Sequence, residues 1–564
     1  MSRHHRLSTF LLALALCYAS ARTSDPEVHT PAGRFRGKIL TSHSGHEYAS
    51  YRGIPYALPP TGDRRFALPV RHPVIEGIHN ATEFGSFCLQ NSDGAIVGQE
   101  DCLFVNVFTP LSDKETDKSA AKKVLVYIYG GGLVVGVSNI FLPGDLVTRG
   151  DIIVVTMNYR LNWFGFLRGN SSFLSGNMGH WDQLLALQWV RDNIASFGGD
   201  PYDVTLAGES SGGMSVGILS MSPLGEGLFS KSLMMSGAGP FIRAPPRTTN
   251  DLLQAAADKF GCGPGSVNGR EDAVLQCLKQ LPANTFVQEV GFDTLAAATS
   301  SGDSILPKPS AQLLNDPDYL SSIGFYNRDY IVSITAEDGY ILVNARFGKI
   351  DPPLLENGAK LFASLLFLPV NVMKRIIQEY VKLYKDEEKA LIGVGTDGFF
   401  LATDLALVDA YAAGQKRGLV KPGTHSFVFS FDHSPKYVSK QYMLHALELA
   451  YLFDLDLKAF MESYYYIEIN DKFYKEDFRL KKDFIDLVVD YVKTGNPGRK
   501  LTEQKNVVWP PFDSEKKSYL SFSLQPSVGQ DILGDRRVIW DTLVPRWLQE
   551  EQRSEIKSTT TRSY

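Results

Sequence analysis

The sequence predicts an α/β fold with a large, mostly parallel central sheet flanked by helices. Two apolar runs, Lys123–Tyr129 and Asp151–Tyr159, lack the alternation of half-exposed strands, as expected for strands that are buried on both faces. A helical pattern follows from Trp181 to Gly199 and stops at paired glycines. Strands that alternate with helices indicate crossover connections between parallel strands.

The length and composition of the chain suit a globular enzyme. With 564 residues, of which 44% are hydrophobic, the chain can bury a large core. The net charge of -5 gives no basic excess, so we expect neither nucleic acid nor an anionic membrane as a partner. No repeat or linker divides the sequence, which predicts a single domain over residues 22–564.

The first 21 residues have the pattern of a secretory signal. Basic residues precede a short apolar run, and Ala19-Ser20-Ala21 forms a small-residue cleavage site. The alternative, a signal that stays in the membrane as an anchor, fits less well because the apolar run is short. We expect no later transmembrane helix and no lipid anchor signal in the polar tail. The sequence therefore predicts a secreted protein.

The number of cysteines indicates that the protein resides in an oxidising compartment. Four remain once Cys17 leaves with the signal, and an even number in an exported chain favours disulfides over zinc. The simplest connectivity joins cysteines that are close in sequence, Cys88 with Cys102 and Cys262 with Cys277. N-linked glycans are predicted at two N-x-S/T sites, Asn80 and Asn170.

A serine lies between glycines at the junction of a strand and a helix. The apolar stretch Tyr202–Ala207 precedes GESSGG, and a helical pattern starts at Met214. G-x-S-x-G at such a junction predicts a nucleophile elbow, in which small neighbours allow the serine a strained backbone conformation. Ser210 is then the nucleophile, and Ser211 contributes its backbone N–H. The pentapeptide alone leaves an ordinary serine-rich turn open.

A second glycine-rich stretch follows the earlier strand, in YIYGGGLVVG from Tyr127. Three glycines at this place can form a tight turn. In a hydrolase with a nucleophile elbow they also let backbone N–H groups approach the oxyanion of a tetrahedral intermediate. We expect Gly131, Gly132 and Ser211 to supply these donors.

Several longer motifs of one protein family occur in this chain, in the same order along the sequence. They are YRGIPYALPPTGDRRF from Tyr51, EDCLFVNVFTP from Glu100, NYRLNWFGFL from Asn158, GNMGHWDQLLALQWVRDNIASFGGDP from Gly176, GESSGG from Gly208 and VKTGNPG from Val492. The chain resembles the type-B carboxylesterase/lipase family, the cholinesterase-like branch of the α/β-hydrolase fold. This resemblance implies one large hydrolase domain with insertions, and it implies the same two local disulfides.

The resemblance also implies the partners of Ser210. In SITAEDGY the position of the family's acid holds Asp338, where most members have glutamate, so Glu337 is a possible substitute. In LHALELAYLFD, His445 matches the family's H-x-x-E-x-x-Y-L-F pattern. A helical His and Glu three residues apart could suggest a metal, but the second histidine of such a site is missing. No cofactor is expected.

The implied activity is hydrolysis of small, apolar carboxylic esters through an acyl-enzyme. The loop between the first two cysteines has no aromatic residue to hold a choline cation, and Arg537 replaces a cysteine of the family's third disulfide. Acetylcholine is therefore a poor substrate. Ser211 replaces the common alanine. The alternatives are a secreted lipase or a hormone or pheromone esterase of this fold, and a non-catalytic adhesion or binding protein.

Overall fold

The structure is a computed structural model. It describes residues 25–92, 94–111, 120–169, 174, 176–239, 251–263, 265–288, 303–344, 350, 352–433, 442–455 and 475–561. The predicted signal and the predicted glycan site at Asn170 lie outside these residues. Asn80 is described and exposed.

The strands are numbered in chain order. They are β1 Glu27–Thr30, β2 Gly33–Arg36, β3 Lys38–Thr41, β4 Glu47–Pro55, β5 Ile75–Asn80, β6 Gln90–Ser92, β7 Ala95–Val97, β8 Phe104–Pro110, β9 Lys122–Ile128, β10 Ile153–Met157, β11 Gly199–Glu209, β12 Lys231–Met235, β13 Asp329–Thr335, β14 Ser426–Phe431, β15 Ser518–Phe522 and β16 Ser527–Gln530.

The helices connect and cover these strands. They are α1 Gly144–Gly150, α2 Asn162–Phe166, α3 Met178–Asn193, α4 Ser211–Met221, α5 Asp251–Phe260, α6 Glu271–Gln280, α7 Ser310–Leu314, α8 Pro317–Ser322, α9 Tyr340–Asn344, α10 Leu354–Leu366, α11 Val370–Tyr384, α12 Glu387–Gly395, α13 Ala402–Lys416, α14 Leu449–Leu452, α15 Lys475–Thr494, α16 Arg499–Lys505 and α17 Val544–Thr561.

An eleven-stranded sheet forms the centre of the molecule, in the order β16-β15-β14-β13-β12-β11-β9-β10-β8-β4-β3. From β15 to β10 every neighbouring pair is parallel, and the flanking pairs are antiparallel. Strands β10, β12, β13 and β14 are buried along their whole length, because helices cover both faces of the sheet. The predicted mostly parallel α/β architecture is confirmed.

The predicted boundaries differ from the observed ones by a few residues. Strand β10 begins at Ile153 because Asp151 has a left-handed φ of 47° at the end of α1. Helix α3 begins at Met178 and ends at Asn193, where a short 3₁₀ turn takes over. Strand β11 extends beyond the predicted stretch at both ends, because pairing with its neighbours continues there.

The core consists of a large cluster around the sheet and a smaller one. The smaller cluster packs α2 against α5 and α6. Disulfides join Cys262 to Cys277 at this smaller cluster and Cys88 to Cys102 beside the main one. Both cysteine pairs are those that the sequence predicts.

Within the part of the chain that the structure describes, one continuous helical segment bears on the expectation that no later transmembrane helix is present. Residues Glu387–Lys416 are long and apolar enough to span a membrane by length and composition. However, 89% of the most apolar window is buried inside the protein, as in the core helix of a soluble protein. The segment joins α12 and α13 through a π-helical turn, Thr396–Leu401.

Candidate active site

The predicted nucleophile lies on a sharp turn between β11 and α4. Ser210 has φ 57° and ψ -128°, a combination that is strained for a residue with a side chain. Its N–H donates a hydrogen bond of 2.8 Å to the carbonyl of Met235, and its side chain is half-buried. The helix begins at Ser211 rather than at Met214 as the pattern predicted, so Ser210 immediately precedes its first turn.

Close backbone contacts explain the glycines around Ser210. A Cβ on Gly208 would lie 2.4 Å from the carbonyl carbon of Gly212, and a Cβ on Gly212 would lie 2.1 Å from the carbonyl oxygen of Ile128. Both distances are far shorter than van der Waals contact, and the atoms that they meet belong to the backbone. The turn therefore requires glycine at both positions.

The glycine loop borders the same turn. A Cβ on Gly130 would lie 2.8 Å from Cβ of Ser210. Gly131 and Gly132 have φ values of 114° and 65°, which favour glycine. Across the described part of the chain, no protein acceptor takes the N–H of Gly131, Gly132 or Ser211. These donors are therefore available to a ligand.

The predicted acid, Asp338, follows β13 and is completely buried. Its Oδ1 lies 2.8 Å from Nδ1 of His445, and it accepts hydrogen bonds from the hydroxyls of Ser236 at 2.9 Å and Thr335 at 2.7 Å. The N–H of Thr335 donates to Oδ2 at 3.0 Å. The carboxylate is therefore fixed in place and oriented toward the imidazole.

Glu337, the alternative acid, makes a different contact. Its Oε2 accepts the N–H of Met443 at 2.8 Å. Burial raises the pKa of Glu337 to about 7. Of the two candidate acids, Asp338 is the one that is hydrogen-bonded to His445.

His445 lies 2% exposed in the turn that precedes α14, rather than on a helix as its spacing to Glu448 suggested. Its Nε2 is 3.1 Å from Oε1 of Glu209, the residue before Ser210. The ring of Phe400 packs over the imidazole with centroids 4.7 Å apart and an interplanar angle of 34°. The structure thus brings His445 to the nucleophile turn, with Asp338 at its other ring nitrogen.

Further buried acids surround the pair. Burial, and the charges of Glu448 and Asp338, raise the pKa of Glu209 well above its usual value. Burial and Asp338 likewise raise the pKa values of Glu448 and Asp404. Their neutral forms are favoured because burial removes the solvation of a charge and because a second carboxylate charge beside Asp338 is costly. Among the described residues no group of three or more potential ligands could hold a metal ion.

Several of these contacts have no recognisable signal in the sequence. Phe400 belongs to the π-helical turn, and Ser236 and Thr335 follow or end strands that carry no recognisable motif. Only their spatial position beside Asp338 or His445 reveals them.

Comparisons with known proteins show the family of the chain. The model of the carboxylesterase family matches residues 24–540. The chain is 27% identical to carboxylesterase 1C of Rattus norvegicus over 564 residues, which cover 95% of this chain and 96% of that protein. It is 38% identical to acetylcholinesterase-1 of Trittame loki over 337 residues, or 55% of this chain and 59% of that protein.

A third relative is not called an esterase. Neuroligin-3 of Mus musculus is 27% identical over 620 residues, which cover 96% of this chain and 72% of that protein. The family match spans every strand of the eleven-stranded sheet and every residue of the candidate site. The chain therefore belongs to the carboxylesterase family, has the α/β-hydrolase fold and is a carboxylic ester hydrolase.

Proposed function

We propose that the protein is a secreted serine carboxylesterase in which Ser210, His445 and Asp338 form the catalytic triad. The observation that carries this proposal is the buried hydrogen bond between Asp338 and His445, whose other ring nitrogen lies 3.1 Å from Oε1 of Glu209, the residue before the strained Ser210. A serine hydroxyl needs a base to become a nucleophile, and the base needs an orienting acid.

In the first half of the reaction Ser210 Oγ attacks the ester carbonyl carbon. His445 takes the hydroxyl proton, and Asp338 orients the ring and stabilises its positive charge. The tetrahedral oxyanion accepts hydrogen bonds from the N–H groups of Gly131, Gly132 and Ser211. When the intermediate collapses, the bond to the alcohol oxygen breaks, and His445 returns the proton to the leaving alcohol.

In the second half water takes the place of the alcohol. His445 removes a proton from water, which attacks the acyl carbon of the ester bond to Ser210. The same N–H groups stabilise the second oxyanion, and the carboxylic acid leaves as Ser210 regains its proton. No step changes an oxidation state, so no redox partner is needed, and no step requires a metal.

The substrates are small carboxylic esters, as the family match implies. We expect apolar esters, because the Cys88–Cys102 loop lacks an aromatic ring for a quaternary ammonium group. The two disulfides support an oxidising, extracellular location. The intact acid–histidine pair favours an enzyme over the adhesion protein that the neuroligin relative could suggest.

Covalent labelling tests the proposal. The full chain is treated with an organophosphate, residual hydrolysis of p-nitrophenyl acetate is measured, and the labelled peptide is identified by mass spectrometry. We expect activity to fall in proportion to phosphorylation of Ser210, because the reagent reacts with an activated serine.

Matched variants make this test specific. Ser210→Ala should neither hydrolyse the ester nor take up label. Ser220→Ala, which removes a buried hydroxyl from the same helix, should do both as the wild type does. Activity that survives complete labelling of Ser210, or label on another residue as activity falls, would reject the proposed nucleophile.

A further inference from the structure

The side chain of Ser211 makes a contact that its backbone role does not require. Its Oγ accepts a hydrogen bond of 3.1 Å from the N–H of Leu133, and the residue is 1% exposed. The sequence assigned a function to the N–H of Ser211 and none to its hydroxyl, since alanine is common at this position in the family that the chain resembles.

Leu133 has a backbone conformation that needs support. Its φ is 62°, in the left-handed region, directly after Gly132 at 65°. For a residue with a Cβ this conformation is strained. Two hydrogen bonds hold it: the N–H donates to Ser211 Oγ, and the carbonyl accepts the N–H of Asn162 at 2.7 Å.

The proposed oxyanion donors come from two separate segments. Gly131 and Gly132 lie on the glycine loop, whereas Ser211 lies at the start of α4. Oxyanion stabilisation requires all donors at about 3 Å from one oxygen position, and it weakens when either segment shifts. The hydrogen bond from Leu133 to Ser211 joins the segments directly beside the donors.

The far end of the loop is anchored elsewhere. Gln90 donates to the carbonyl of Gly136 at 3.0 Å and accepts its N–H at 2.8 Å. That anchor lies four residues beyond Gly132 along the chain. The hydroxyl of Ser211 acts at the middle of the loop, next to the donors themselves.

We infer that the Ser211 hydroxyl is a positioning group of the oxyanion hole, which holds the glycine loop in register with the nucleophile turn by accepting the N–H of Leu133. This inference rests on the proposed function. It deepens that function by giving one side chain a role in transition-state stabilisation beyond its backbone N–H.

The test is the variant Ser211→Ala, which keeps the backbone N–H and carries the residue common in the family. Active sites are first titrated with the organophosphate, so that kcat is expressed per competent site. We expect kcat for p-nitrophenyl acetate to fall about tenfold, the worth of one buried hydrogen bond, with KM changed less than about twofold. The inhibition constant of a trifluoromethyl ketone, which forms a tetrahedral oxyanion on the serine, should rise by a similar factor.

Ser220→Ala is the matched control, because it removes a buried hydroxyl whose partners, the carbonyl of Val216 and the hydroxyls of Ser232 and Tyr330, all lie outside the glycine loop. Its kcat per site and ketone affinity should equal those of the wild type. The inference is overturned if Ser211→Ala also matches the wild type in both, or if its kcat falls while ketone affinity is kept. Failure of the wild type to label at Ser210 would instead reject the proposed function itself.

Discussion

The proposed nucleophile half of the site, Ser210 with the glycine loop, is shaped by backbone geometry, whereas the proposed acid–base half, Asp338 with His445, is held by side-chain hydrogen bonds. Glycines in the first half sit where any Cβ would meet the backbone. In the second half a buried carboxylate accepts hydrogen bonds from hydroxyls, a backbone N–H and the imidazole.

This difference predicts different responses to mutation. A substitution of a glycine in the first half should distort the backbone and lower stability. A change in the second half should leave the fold in place and impair proton transfer, because only side-chain atoms are exchanged. The predictions below test this contrast, from the largest expected effect to the smallest.

A double variant that truncates one side chain in each half tests whether the two halves act as one catalytic unit. Ser210→Ala and His445→Ala should each lower kcat by about 10⁶-fold, and the double variant should lose no more than either alone. Steady-state kinetics at saturating ester, with reagent blanks, measures the effect. Losses that multiply in the double variant would show that the two residues act independently.

The choice of acid gives the next largest effect. Asp338→Asn should lower kcat by about 10⁴-fold with little change in thermal midpoint, because the amide favours the wrong imidazole tautomer. Glu337→Gln is the control, since the amide oxygen can still accept the N–H of Met443. If Glu337→Gln is the variant that loses activity, Glu337 is the triad acid.

Substitution of a glycine in the turn should lower the stability of the fold. Gly212→Ala places a Cβ 2.1 Å from the carbonyl oxygen of Ile128, and the overpacking should cost about 3 kcal/mol of unfolding free energy, seen in urea denaturation. Gly239→Ala is a suitable control, because its Cβ would meet only Met221 Cε at 3.6 Å. Unchanged stability in Gly212→Ala would contradict backbone control of this half.

Glu337 should make stability depend on pH. Its pKa is raised from 4.5 to about 7 in the folded protein, so the fold favours the neutral acid. Its contribution is fully present below pH 4.5 and is lost as the pH rises through 7. This loss is about 3 kcal/mol. Denaturation of the wild type and Glu337→Gln across this range should show a shallower decline in the variant, and parallel declines would reject the shift.

The smallest effect concerns the ring above the imidazole. Phe400→Leu should lower kcat about threefold to tenfold, because the tilted ring contact that helps to orient His445 is lost. Phe399→Leu removes a ring of equal size from the neighbouring position and should have less effect on kcat. Equal losses in the two variants would point to general packing of the π-helical turn.

The local half of the site could be predicted from the sequence and the other half only in part. GESSGG carries its own geometry, since neighbouring residues along the chain determine the turn. His445 and Asp338 are 107 residues apart, and only a family motif pointed to them. Phe400 and the hydroxyl contact of Ser211 had no sequence signal, because their partners belong to other segments.

The sequence by itself determined the parallel strands, the cysteine pairs and the strained turn at Ser210, because apolar runs, short loops and glycine spacing act over neighbouring residues. The tertiary structure decided which acid meets the imidazole and what surrounds it. Adjacent residues such as Glu337 and Asp338 extend in different directions from one turn, so only the packing of distant strands and loops selects between them.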